Sequence, residues 1–168
     1  NAGLTIGDPD GKYNNSIKQE AANLYMAARS TEDGFNSINL LDRFALKVKR
    51  MDRMTQVTDA NQWVDYAINN HLWLVEMIHG INNGGYLSVD SATFVDNLDH
   101  IKDVEDQIWC SSVSNVIKYL DEAKSTQIKC EFCNDTVYQI RVNDYLNDSI
   151  YDQQISVRIE VPRNWHNI

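Results

Sequence analysis

A histidine at the end of a short apolar run is the residue in this chain best placed to do chemistry, because its side chain can exchange a proton near neutral pH. The run is Leu72-Trp73-Leu74-Val75-Glu76-Met77-Ile78-His79-Gly80, bounded by Asn69-Asn70 and by Asn82-Asn83-Gly84-Gly85. Its length and its flanking turn-formers predict a buried strand covered on both faces, as in parallel sheets. Alternation then groups Trp73, Val75, Met77 and His79 on one face and Leu74, Glu76 and Ile78 on the other. Ligands of barrels and open α/β sheets sit beyond the carboxyl ends of the strands, which makes His79 the first site candidate. The same position equally suits a histidine that caps a strand and bonds to backbone. Arg29, at the end of an expected strand Tyr25–Arg29, could orient a carboxylate or a sugar hydroxyl, or form a surface ion pair. Asn36 and Tyr86 fall in loops at the same expected end of the sheet and are candidate substrate contacts.

The elements that must position these residues follow from spacing. Leu4-Thr5-Ile6 precedes a turn, Gly7-Asp8-Pro9-Asp10-Gly11, and Asn14 or Asn15 can cap a helix that buries Ile17, Ala21 and Leu24. A polar loop spans Ser30 to Asn39. Phe44–Lys49 alternates as a strand, and Thr58–Asn70 carries Ala60, Trp63, Val64 and Ala67 on one helical face. Ser91 opens a helix with Phe94, Leu98 and Ile101. Ile108-Trp109-Cys110 reads as a further strand, and Ser112 caps a helix with Val113, Val116, Ile117 and Leu120 inward. Strands alternating with helices predict a mainly parallel α/β sheet over 1–125. After Ser125 the grammar changes to strands without helices, at Ile128–Cys133, Val137–Val142 and Ile155–Val161, the last stopped by Pro162. Residues 126–168 are therefore expected to form a small antiparallel β appendage.

Composition narrows the function classes. The 168 residues carry a formal charge of -9, from 24 acidic and 15 basic side chains. That balance, with no cluster of Lys and Arg, opposes binding to nucleic acid or to anionic membranes. No apolar run approaches the ~20 residues that cross a bilayer. The start at Asn1-Ala2-Gly3, without methionine, points to a processed, proteolysed or engineered terminus. Cys130 and Cys133, at spacing i, i+3 in a strand, are expected on opposite faces, so chance packing is preferred there over metal or redox chemistry. Sequons at Asn14, Asn134 and Asn147 matter only in a secreted, glycosylated protein.

The order of segments Tyr25-Met26-Ala27-Ala28-Arg29, Trp63-Val64-Asp65-Tyr66-Ala67, Trp73–Ile81, Ile108-Trp109-Cys110 and Val116–Leu120 resembles the carboxyl-terminal half of a polysaccharide deacetylase, a metal-dependent carbohydrate esterase. Leu146–Asp152 and Val157–Pro162 resemble the β extension that follows the barrel in some secreted members. The resemblance implies a partial (β/α) barrel followed by an antiparallel β appendage. It also implies an extracellular, periplasmic or cell-surface location and an acetylated polysaccharide or oligosaccharide as partner. In the family an aspartate and two histidines hold a divalent metal such as zinc, a second aspartate is the base, and a histidine protonates the leaving group. By resemblance that last histidine is His79.

The family's Asp-Asp and His-x-x-x-His motifs do not occur, since His71, His79, His100 and His166 lack that spacing. This chain is accordingly expected to hold no metal itself and to be inactive alone, the metal belonging to a complete parent. An incomplete barrel leaves sheet edges open, so a homodimer or association with the missing half is expected. The alternative to an enzyme fragment is a non-catalytic glycan-binding or structural module. A flavodoxin-like domain is disfavoured because two acids stand where a phosphate loop would be.

Overall fold

The computed structural model describes residues 15–134 and 137–161, which divide into two compact units after Cys110. The expected strand at Leu4–Ile6 and the turn after it lie outside the described residues. The break falls earlier than the change of grammar at Ser125, so the last helix belongs with the β appendage.

The first unit runs α1 (Asn15–Leu24), β1 (Arg29–Asp33), a 3-10 turn at Ile38–Leu40, β2 (Leu46–Met51), α2 (Val57–Asn70), β3 (Glu76–Ile78) and α3 (Ser91–Asp103). The sheet order is β1-β2-β3 and both pairings are parallel. β2 is the central strand, which is why Leu46, Val48 and Met51 are all buried although alternation sends them to different faces. α2 crosses from β2 to β3 and buries Ala60, Val64 and Ala67, spaced four and three apart. Its end is closed by His71 in the left-handed conformation, with His71 N–H on Ile68 O at 3.2 Å and Leu72 N–H on Ala67 O at 2.9 Å. Met51, Ala60 and Val89 form the core cluster, with Trp63 and Phe94 packed against it.

Four expectations change here. β1 begins at Arg29 instead of ending there, and it uses Ser30–Asp33, which reads as loop. The buried Ser30 hydroxyl makes this possible by donating to Leu46 O at 3.0 Å, so a polar residue sits in the sheet without an unmet hydrogen bond. The histidine-bearing run yields only three ladder residues, and they lie at the sheet's edge. Edge placement leaves Ile78 and His79 exposed, where a strand covered on both faces was expected. Ile108-Trp109-Cys110 is not a strand, and Trp109 is 53% exposed. Leu24 is also exposed, leaving Ala21 as the buried residue of α1.

The second unit comprises α4 (Val113–Ser125), β4 (Gln127–Cys133) and β5 (Tyr138–Asn143), followed by a turn at 148–150 and a segment to Val161 that belongs to no helix or sheet. Ser112 caps α4 by accepting from Asn115 N–H at 3.3 Å, and Ile117 is fully buried. β4 and β5 form the expected antiparallel hairpin. Its register runs Cys130 to Ile140 and then Phe132 to Gln139 and Cys133 to Tyr138, so Glu131 is an extra residue in the ladder. That bulge reverses the alternation and brings register positions 130 and 133 to the same side. Cys130 is disulfide-bonded and Cys110 is free. The expectation of opposite faces and chance packing fails because it assumed an unbroken ladder. Ile155–Val161, expected as a strand, joins no sheet among the described residues.

Candidate functional site

The carboxyl end of the parallel sheet is built by two turns. After β2, Asp52 is buried and held from several sides. Its carboxylate accepts from Arg50 Nε at 3.0 Å and from Met54 N–H at 2.9 Å, and its own N–H donates to Thr55 Oγ1 at 3.0 Å. This fixes a tight turn that leaves Arg53 exposed, with no hydrogen bond or ion pair of its side chain among the described residues. After β3, the chain folds back so closely that glycine is required. A Cβ on Gly80 would stand 2.7 Å from Gly84 O, and one on Gly85 would stand 2.7 Å from His79 O.

The returning segment is tied by Val89 N–H to Gly80 O at 3.0 Å and by Asn82 N–H to Val89 O at 2.7 Å. Asn82 then caps the approach to α3, its Oδ1 accepting from Ser91 N–H at 3.0 Å, while Asp90 accepts from Ala92 N–H at 2.8 Å. Asn82 and Leu87 both lie at positive φ, 54° and 49°. For leucine that conformation is costly, and its place on a pocket rim matches the tendency of strain to gather where ligands bind.

Between these turns lies an open pocket of about 740 Å³, lined by Arg53, Asn82, Asn83, Gly85, Leu87, Ser88, Val89 and Asp90. Its side chains offer amides, a hydroxyl, a carboxylate and a guanidinium, a set able to donate to and accept from sugar hydroxyls. Tyr86, between two lining residues, is 73% exposed, and its ring meets that of His79 edge-on at 5.8 Å between centroids. Gly80→Ala is expected to destabilise the first unit by roughly 2 kcal/mol, because backbone rather than a yielding side chain stands in the way. Thermal unfolding of the variant checks this, and an unchanged melting temperature would mean the loop opens freely.

Of the four residues singled out from sequence, the structure brings His79 and Tyr86 together and separates the others. Arg29 is at the amino end of β1, in register with Leu46 at the start of β2, while β3 pairs with the far end of β2. It donates to Ser30 O at 3.2 Å. The strand that was to end at Arg29 begins there, so the residue stands at the opposite end of the sheet from His79. Asn36 is buried and bound to backbone. Lys47 N–H donates to its Oδ1 at 2.9 Å, and its Nδ2 donates to Lys47 O at 2.9 Å and to Trp73 O at 3.3 Å. It acts as a side-chain rung between strands.

Sequence reasoning passed over Arg53, Asn82, Asn83, Ser88 and Asp90. The signal for all of them but Arg53, which lies in the turn after β2, was the polar loop directly after the histidine strand, read only as a boundary. It also passed over Glu76, whose carboxyl is pushed up to about 7 by burial and whose Oε1 has no hydrogen-bond partner. Burial, and secondarily the Glu76 charge, raises the Cys110 thiol. Among the described residues no three His, Cys, Asp or Glu side chains converge as a divalent metal would require. The described residues therefore do not fit a metal centre.

Comparison with known proteins gives one distant likeness to report. The chain is 22% identical, over 188 aligned positions, to a gellan lyase from Bacillus sp., the match taking in 98% of this chain and 8% of that protein. The chain thus spans a small part of the relative's length. No known family matches the sequence, and no solved structure matches it. No helix among the described residues is long and apolar enough to cross a membrane.

Proposed function

We propose that this chain is a non-catalytic glycan-binding module within a larger polysaccharide-acting protein. The observation that carries the reading is the polar pocket at the carboxyl end of the parallel sheet, with the exposed Tyr86 next in sequence to the lining residues Gly85 and Leu87. Sugars are bound by hydrogen bonds to their hydroxyls and by stacking of their apolar faces on aromatic rings, and the pocket with Tyr86 supplies both. The likeness to a gellan lyase supports a polysaccharide as the ligand class. A polymer of that kind is met outside the cell or at its surface, which is where the module is placed in this reading.

Binding to soluble polysaccharides, followed by affinity electrophoresis, tests the proposal. Tyr86→Ala is expected to weaken binding about tenfold, the loss of one stacking contact, and Arg53→Ala to weaken it as well. Both side chains are exposed, so neither change disturbs folding. A chain that binds no glycan, or two variants that bind as the parent does, would overturn the reading.

One observation favours a second reading. His79 stands at the carboxyl end of a parallel strand, where a half-barrel of a polysaccharide deacetylase would carry its general acid. Acetate release from acetylated chitooligosaccharide and xylan, by this chain and by a form extended upstream, separates the two. Turnover by the longer form that vanishes with His79→Ala would establish the enzyme, and no turnover by either would leave the binding module.

A further inference from the structure

Tyr86 reaches out of a loop, and the ring beside it is that of His79, met edge-on with 70° between the planes. The loop makes the two residues neighbours. His79 follows directly on β3, whose register with β2 runs to Met51 and Ile78, so its backbone is held by the sheet. The loop closes where Gly84 N–H donates to Ile81 O and Val89 N–H to Gly80 O, both at 3.0 Å. It then passes so near β3 that a Cβ on Gly85 would stand 2.7 Å from His79 O. Tyr86, next after Gly85, therefore has its backbone set close to that of His79. Its side-chain torsions are a separate matter. A tyrosine exposed to 73% and free to turn exchanges rotamers in picoseconds to nanoseconds. A ligand that stacks on such a ring must immobilise it, which weakens binding by roughly two- to tenfold compared with a ring already held.

We propose that His79 is the positioning residue for Tyr86, its ring holding the tyrosine ring in the orientation on which a sugar stacks. This role rests on the glycan-binding reading and adds to it a residue that is not among those lining the pocket. Edge-on pairs are a favoured aromatic geometry, and they suit this task. Whichever of the two rings presents its edge, at least one face of Tyr86 stays open, whereas two parallel stacked rings would compete with the sugar. Support from the end of a strand also fixes a loop side chain more closely than the loop can by itself.

A double-mutant cycle tests the proposal by affinity electrophoresis of the whole chain in soluble xylan, mixed-linkage glucan and pectin, measured in the polymer that retards the parent most. His79→Ala should raise the dissociation constant about three- to fivefold. His79→Phe, which keeps a ring edge but carries no proton donor, should stay within about twofold of the parent. In the Tyr86→Ala background, His79→Ala should have no further effect, because a residue that acts through Tyr86 has nothing left to position. Without any polymer, the NMR signals of the Tyr86 ring protons should move in His79→Ala, as the ring current beside them is removed. His79 is exposed, so the fold does not depend on its side chain. Unchanged binding by His79→Ala, equal weakening with and without Tyr86, or a phenylalanine no better than alanine would overturn this role and leave the glycan-binding reading standing. A parent retarded by none of the polymers would overturn both.

Discussion

Raising the pH from 4.5 to 8 should remove about 3 kcal/mol of stability that Glu76 supplies in its neutral form. The carboxyl titrates near 4.5 in the unfolded chain and near 7 in the folded one, because the side chain is largely buried and its Oε1 has no hydrogen-bond partner. Between those values the folded state binds more protons than the unfolded state. The contribution is therefore complete below pH 4.5, falls as pH rises through 7, and is gone above. Lys49 is in register with Glu76, but its ammonium is engaged 2.7 Å from Asp33 and lies over the rings of Phe35 and Trp63.

Glu76→Gln keeps the shape and removes the titration. The difference in unfolding free energy between parent and variant, measured by denaturant at several pH values, isolates Glu76 from the other carboxylates. That difference should be small at acid pH and should favour the variant by up to about 3 kcal/mol at pH 8, an upper figure because water reaches part of the side chain. A difference that does not vary with pH would show that the carboxyl titrates at its ordinary value.

Asn36→Ala should cost about 3 kcal/mol of stability while leaving glycan binding by the folded protein unchanged. The side chain satisfies the N–H and the C=O of Lys47 and donates to the C=O of Trp73, all inside the sheet. Truncation removes the side chain's bonds to the Lys47 N–H and C=O, while the Trp73 C=O keeps the Asn36 N–H, and an unmet buried donor or acceptor costs more than the bond itself contributed. The Asn36–Trp73 backbone bridge, with N–H to C=O distances of 3.0 and 2.9 Å, survives the change and limits the damage. A variant as stable as the parent but impaired in glycan binding would return Asn36 to the role of ligand contact.

Local pattern alone determined the elements whose signals are short in range. The four-and-three spacing of Ala60, Val64 and Ala67 marked α2, and Ser112 marked the start of α4. Alternation marked the β4–β5 hairpin, and the turn-formers after Ile78 marked the loop that carries Tyr86. Each reports a periodicity or a cap that acts within a few residues and needs no knowledge of neighbours.

What the tertiary structure decided depends on partners distant in sequence. The apolar run before His79 has the composition of a central strand but lies at an edge, because only β2 pairs with it. Whether a hydrophobic strand is covered on both faces is settled by sheet order, which composition does not encode. Ser30 and Asn36 read as loop because their polarity is visible in sequence, whereas the backbone groups they satisfy, at Leu46, Lys47 and Trp73, are not. Arg29 stands at the other end of the sheet for a related reason: a strand boundary displaced by four residues exchanges its ends. Positions 130 and 133 share a side because one bulged residue reverses the alternation. The Ile155–Val161 segment is the converse case, its strand pattern legible and its neighbour absent among the described residues, since a ladder requires a second strand that the pattern of the first does not supply.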